Sequence, residues 1–159
     1  MLSTLTKANF YLSYFGFLKV PLIWYCRPKI LSLNEQSVEI RIPLKRRNKN
    51  HLNSMYFGVL AVGADVAGGF MAMHKAQQRG KPISLAFKGV KAEFFKRPEG
   101  AVHFHCDEGE VIDRMLDETL ATGQRINKAV KIIATCPSQN GDEPMAEFWL
   151  TLSLKCIKP

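Results

Sequence analysis

From Met55 to Met73 the chain carries a single charge, Asp65. A helix over such a segment has no polar face to give to water, so it must be buried on every side. Two surroundings allow that: a bilayer, or a protein interior in which a sheet wraps around the helix. Small residues also mark packed membrane helices. Here Gly58, Ala61, Gly63, Ala64, Ala67, Gly68, Gly69 and Ala72 lower intrinsic helicity but let strands approach the backbone closely. The strand-like segments elsewhere in the chain favour the wrapped helix. Asn53 or Ser54 can cap its first turn, which predicts a helix from Met55 to about Gln78.

The flanking segments supply material for the sheet. Lys29 to Leu33 and Ser37 to Pro43 read as a hairpin around Asn34-Glu35. After Pro82, Ile83 to Phe95 alternates as a long strand, with Gly89 marking a bulge. Arg97-Pro98-Glu99-Gly100 turns the chain into Ala101 to Cys106, which predicts a second hairpin. Glu108 to Thr122 places Val111, Met115, Leu116 and Leu120 at helical spacing and leads into a strand over Ile126 to Thr135. Pro137 to Pro144 reads as a loop. In the last strand, Met145 to Ile157, Ala146, Phe148, Leu150, Leu152 and Leu154 alternate inward. Ahead of all this, Phe10 to Cys26 is apolar and follows Lys7 in the manner of a signal sequence. It lacks a small-residue cleavage site, and Lys19 and Pro21 interrupt it. It reads as a helix from Leu5 to Val20 with one face on the domain. One buried helix within about six mostly antiparallel strands is an α+β architecture.

A chain of 159 residues, 47% hydrophobic and 23% charged, suits one globular domain. Cys26, Cys106, Cys136 and Cys156 are widely spaced, with no CxxC pair and no zinc-like His spacing, as expected of a reduced, cytoplasmic protein. His103 and His105 share one strand face without a carboxylate at ligand spacing, so no metal is expected. The net charge of +8 favours an anionic partner: nucleic acid, lipid headgroup or phosphorylated cofactor. No recognition helix or stacking-aromatic motif is visible, which sets nucleic acid aside.

The order of helix, hairpin, basic loop, Gly-rich helix and long strands resembles the hotdog fold, a curved antiparallel sheet wrapped around a central helix. The segment Asn50-His51-Leu52-Asn53-Ser54-Met55-Tyr56-Phe57-Gly58, continuing to Asp65, is similar to the catalytic segment of PaaI-like acyl-CoA thioesterases. That family sets an asparagine, then His-Gly-Gly at the helix start, then an acidic residue two turns inside. Asn50, Gly58 and Asp65 match the pattern, whereas Tyr56 and Phe57 depart from it. The nearest likeness is to a hotdog subgroup with Ser-Met-Tyr-Phe-Gly in place of the His-Gly-Gly segment. The resemblance covers residues 30–157 and implies a helical extension over 1–28 followed by a hotdog domain over 29–159. It also implies an acyl-CoA substrate, no cofactor, no stable membrane insertion, and a homodimer that can pair further into a dimer of dimers.

The chemistry of the residues agrees with that implication. Amides at a helix start lack intrahelical partners and sit at the positive end of the dipole, so those of Phe57 and Gly58 suit an oxyanion. Asp65 lies about 10 Å further along the helix, too far to serve the same carbonyl within one chain. The family meets this distance with a dimer, Asp65 of one chain facing the helix start of the other. Burial would raise its pKa and make it a better base or nucleophile; the competing role is a structural aspartate. By resemblance, Asn50 holds the carbonyl or water and Ser84 orients water, against ordinary roles in a turn and at a strand start. Tyr56 replaces the family histidine beside the thioester. Arg46, Arg47 and Lys91 lie in basic runs suited to coenzyme A phosphates, although such runs are commonly solvated surface. The sequence thus leaves two functions: a thioesterase, or an acyl-CoA-binding protein without turnover.

Overall fold

The computed structural model describes residues 3–157. Helix α1 (Thr4–Lys19) begins at Ser3, whose hydroxyl accepts from the Thr6 amide, and ends where Pro21 opens a separate short helix, α2 (Pro21–Cys26). Proline has no N–H to continue the first helix but suits the first turn of a new one. The single helix expected to end at Val20 is therefore followed by a second. Arg27, in the left-handed region at φ 59°, turns the chain into the sheet.

Among the described residues the six strands are β1 (Lys29–Leu33), β2 (Val38–Ile42), β3 (Ile83–Phe94), β4 (Val102–Cys106), β5 (Ile126–Thr135) and β6 (Pro144–Cys156). They form one antiparallel sheet in the order β1-β2-β4-β5-β6-β3. The first hairpin forms as expected, with Asn34 Oδ1 accepting from the Gln36 and Ser37 amides at its turn. The second does not. β3 pairs with β6, and β4 lies between β2 and β5. Alternation identifies a strand without identifying its neighbour, and here the chain after β3 is held elsewhere. The Phe95 and Lys96 amides donate to Met145 O, and Pro98 O accepts from the Met55 amide. The bulge expected at Gly89 is present as a register shift between Phe87 and Gly89. The loop after β5 contains one short helix, α5 (Pro137–Asn140).

Helix α3 (Phe57–Gln78) lies along the concave face of the curved sheet. By length and composition it is apolar enough to cross a membrane, but most of it is buried against the protein. Its glycines explain how closely the sheet approaches: a Cβ at Gly63 would overlap the Phe104 ring, and one at Gly68 would touch Ile132 and Val130 at 3.5 Å. The five inward residues of β6 are all buried beneath it. Helix α4 (Gly109–Thr122) closes one end of α3 through charge. Lys75, 3% exposed, donates to Asp113 at 2.8 Å, and Arg79 bridges Asp113 and Asp117. A buried ammonium is tolerated only with such partners.

The expected start of α3 was two residues early. Asn53 adopts φ 59° and Ser54 is buried with its hydroxyl donating to Asn50, so neither caps the helix. The N-cap is Tyr56, in extended geometry and without a side-chain hydrogen bond. Both candidate caps are consumed by the preceding loop.

Candidate active site

Asp65 reaches the wall of a cavity of about 260 Å³ between α1, α3 and β3. Tyr11 and Phe15 line it from α1, Phe70 and Met73 from α3, and Leu85 and Phe87 from β3. Asp65 supplies the only carboxylate in this apolar wall, and among the described residues no hydrogen bond or ion pair satisfies it. Burial alone pushes its carboxyl up to about 6. Gly69, one turn on, faces the same space: a Cβ there would stand 3.4 Å from Asp65 Oδ1, Leu85 and Phe87. An acid in this setting is half-ionised near pH 6 and mostly carboxylate at neutrality, where it can take a proton.

The start of α3 forms a second hollow. The Val59 and Leu60 amides already bond back to Tyr56 O, which leaves the Phe57 and Gly58 amides without an acceptor among the described residues. Those two N–H groups face the exposed end of the helix, beside a groove lined by Asn50, Tyr56, Phe57, Phe94 and Arg97. The Tyr56 ring folds back over Gly58 so closely that any Cβ there would collide with it, and it meets the Phe57 ring at 5.0 Å between centroids. A side chain at Gly58 would therefore require the half-exposed Tyr56 ring to swing away from the helix start. Asp65 and this helix start share no lining residue, and the rise of the helix separates them by about 10 Å.

The remaining candidates divide. Asn50 lies at the helix-start groove, but its Oδ1 already accepts from the Leu52 and Ser54 amides and the Ser54 hydroxyl, leaving only Nδ2 to face a ligand. Ser84 is not brought to Asp65 within the chain: it sits between cavity-side Leu85 and the strand start, with its hydroxyl bonded by Arg125 at 3.3 Å. Lys91 pairs with Glu93 at 3.3 Å and lies 4.9 Å from the Trp149 ring centroid. Arg46 and Arg47 share a hollow with Tyr25, Arg27 and Lys45, and Arg47 lies 5.0 Å over the Tyr25 ring. His103 bonds Glu39 at 2.6 Å and His105 approaches Thr135 at 3.4 Å. Among the described residues no group of three or more His, Cys, Asp or Glu is placed to hold a metal.

Of the large apolar side chains of α1, α3 and β3, Phe15, Phe70, Met73 and Phe87 reach the cavity, joined by Tyr11 and Leu85, none of which the sequence pattern separates from core. Met71 is core instead, and Phe17 faces outward. The inward phase of α1, set by buried Ala8, Leu12 and Gly16, was the missing signal.

Residues 9–146 match the model of a family described as a domain of unknown function, DUF4442. No curated protein matches the chain by sequence. Among solved structures, a protein of unknown function from Chlorobaculum tepidum TLS superposes with a TM-score of 0.81 at 16% identity, covering 96% of each chain. A thioesterase from Haemophilus influenzae gives 0.67 at 12% identity, covering 100% of this chain and 95% of that one. The zebrafish thioesterase superfamily member 2 gives 0.65 at 12%, covering 99% and 100%. At these identities the likeness establishes the hotdog fold.

Proposed function

The chain belongs to the DUF4442 family, and we propose that it hydrolyses an acyl-CoA thioester at a site shared between two copies. The observation that carries the proposal is Asp65, a half-buried carboxyl with no hydrogen bond from the protein among the described residues, raised to about 6 at the wall of an apolar cavity. Thioesterases among the solved hotdog structures support the same reading.

In the proposed reaction the acyl chain lies against Phe15, Phe70 and Phe87, and the thioester oxygen meets the Phe57 and Gly58 amides of a second copy. The Asp65 carboxylate takes a proton from water as the water oxygen bonds to the carbonyl carbon. The two amides hold the resulting oxyanion. Collapse of that intermediate breaks the carbon–sulfur bond, and the leaving thiolate recovers the proton from Asp65. Direct attack by the carboxylate, with water resolving the resulting anhydride, is the other course open to the same group. Asn50 offers its free Nδ2 beside the oxyanion amides. Arg46 and Arg47, together in one hollow, are the better candidates for the coenzyme A phosphates; Lys91 is occupied by Glu93 and Trp149.

Two features support the dimer. The two hollows cannot serve one carbonyl within a chain, and β3 offers a strand edge with exposed Phe87 and Val90 beside the Asp65 cavity.

Asp65→Asn keeps shape and polarity while removing the base. It should reduce turnover by about 10²-fold or more, with fold and assembly intact, measured as thiol released from a panel of acyl-CoAs of varied chain length. An equally active variant would refute the assignment. A second reading, binding without turnover, is favoured by the Tyr56 ring crowding the helix start; saturable acyl-CoA binding with no thiol release across the panel would establish it.

A further inference from the structure

The N-terminal helix pair is apolar on the side facing away from the fold as well as on the side that packs. Ala8, Leu12 and Gly16 turn inward, while Phe10, Tyr14, Phe17 and Leu18 lie on the outer face of α1. Phe10 is 72% exposed. The face is continuous: Phe10 and Tyr14 stack at 6.4 Å, Phe17 meets Trp24 of α2 edge-on at 5.4 Å, and Leu22 and Tyr25 carry it along α2. Large side chains held in water at this density mark a surface built to be covered.

We propose that this face docks on the surface of an anionic lipid bilayer. Charge identifies the occupant. Lys7 lies on the stripe, Arg27 and Lys29 line the hollow beside it with Thr6 and Ser13, Lys19 ends α1, and the first carboxylate of the chain is Glu35. None of the four has a salt bridge among the described residues. Arg27 stacks over Trp24 at 4.1 Å, which puts a guanidinium at the margin of the aromatic face. Aromatic rings inserted at headgroup depth, surrounded by cations without carboxylates, match a negatively charged interface. A second copy docked through the same face would instead set these cations against their own equivalents. The arrangement is peripheral, since α1 breaks at Pro21 and, among the described residues, the one helix long and apolar enough to span lies in the core. The opposite side of α1 supplies Tyr11 and Phe15 to the Asp65 cavity, so docking would bring that cavity to a source of acyl chains.

The test is sedimentation of the full chain with phosphatidylcholine vesicles, with and without phosphatidylglycerol. Binding should be at least tenfold tighter to the anionic vesicles and should fall in high salt. Phe10→Gln with Tyr14→Gln, exposed positions given a good helix former, should weaken it by tenfold or more without changing thermal midpoint or oligomeric state. Lys7→Glu with Lys19→Glu should do likewise. Asp65→Asn should bind vesicles like the parent, which separates docking from hydrolysis. Equal sedimentation with and without vesicles would overturn the proposal, as would undiminished binding by the Gln variant. A Gln variant that dissociates the assembly would also overturn it, by making this face an interface between copies.

Discussion

At one edge of the sheet the Asn9 side chain stands in for a neighbouring strand; at the other, among the described residues, nothing does. Asn9 Oδ1 accepts from the Ile30 amide at 2.8 Å while its Nδ2 donates to Ile30 O at 2.9 Å and to Leu5 O at 3.1 Å. One amide group thus satisfies both backbone groups of Ile30 near the start of β1, and α1 packs on the strand. Strand β3 is longer, pairs on one side only, and ends among exposed Phe87, Val90 and Phe94. A protein that needed only to avoid edge-to-edge association would finish the longer, more apolar edge first. The contrast agrees with the proposed dimer: β1 is closed by α1, whereas β3 leaves an edge free for a second copy next to the Asp65 cavity.

The strongest attack on that comparison is a charge at the open edge. Val90 is 68% exposed, so Val90→Glu should fold, yet it would set like charges together across a two-fold β3 seam. Light scattering should show a monomer, and turnover should fall by about 10²-fold or more because each hollow loses its complement. A fully active variant of unchanged mass would remove β3 as the seam. At the closed edge the effect is smaller and of another kind. Asn9→Ala should cost about 2 kcal/mol in denaturant unfolding, the scale of leaving two partly buried backbone groups unpaired, and should promote association through β1 while sparing turnover. Unchanged stability and mass would show that Asn9 does not finish the edge.

A comparable effect with a pH signature should come from Asp65. Its folded pKa, about 6 against an ordinary 3.8, means that the fold prefers the neutral acid. The stability contributed by that preference is full below about pH 4 and is lost as pH rises through about 6. Asp65→Asn, neutral throughout, should therefore be more stable than the parent by about 3 kcal/mol near pH 8, with the gain vanishing near pH 4. A structural aspartate would behave oppositely, losing stability on replacement. In the parent, kcat/KM should rise with pH through about 6, as a base that must ionise requires.

The fold was legible where a single pattern decides the outcome. The lone charge and small residues of α3 gave its burial, and β5 follows Ile126 to Thr135 as its alternation and breakers indicate. Asp65 stood out for the same reason, as the one charge in an apolar run. Strand partners were not legible, because alternation gives a strand two faces but no neighbour; hence the hairpin expected between β3 and β4 gave way to β3 on β6. Nor was the start of α3, since Asn53 and Ser54 have the chemistry of caps and are claimed by the Asn50 loop. The cavity was hidden for a third reason: α1 is apolar on both sides, so its sequence does not say that Tyr11 and Phe15 turn toward Asp65.

The central claim is that Asp65 of one copy works with the Phe57 and Gly58 amides of another, and mixing two inactive variants tests it most directly. Phe57 is the first residue of α3 and Tyr56 before it has ψ 136°, so Phe57→Pro deletes one amide donor where proline fits without strain. Alone, Phe57→Pro should lose about 10²-fold in kcat, as should Asp65→Asn. Unfolded and refolded together, they should form mixed dimers in which one site holds both defects and the other is intact, restoring about a quarter of parental activity. A mixture that forms heterodimers yet stays as inactive as either variant would contradict the account.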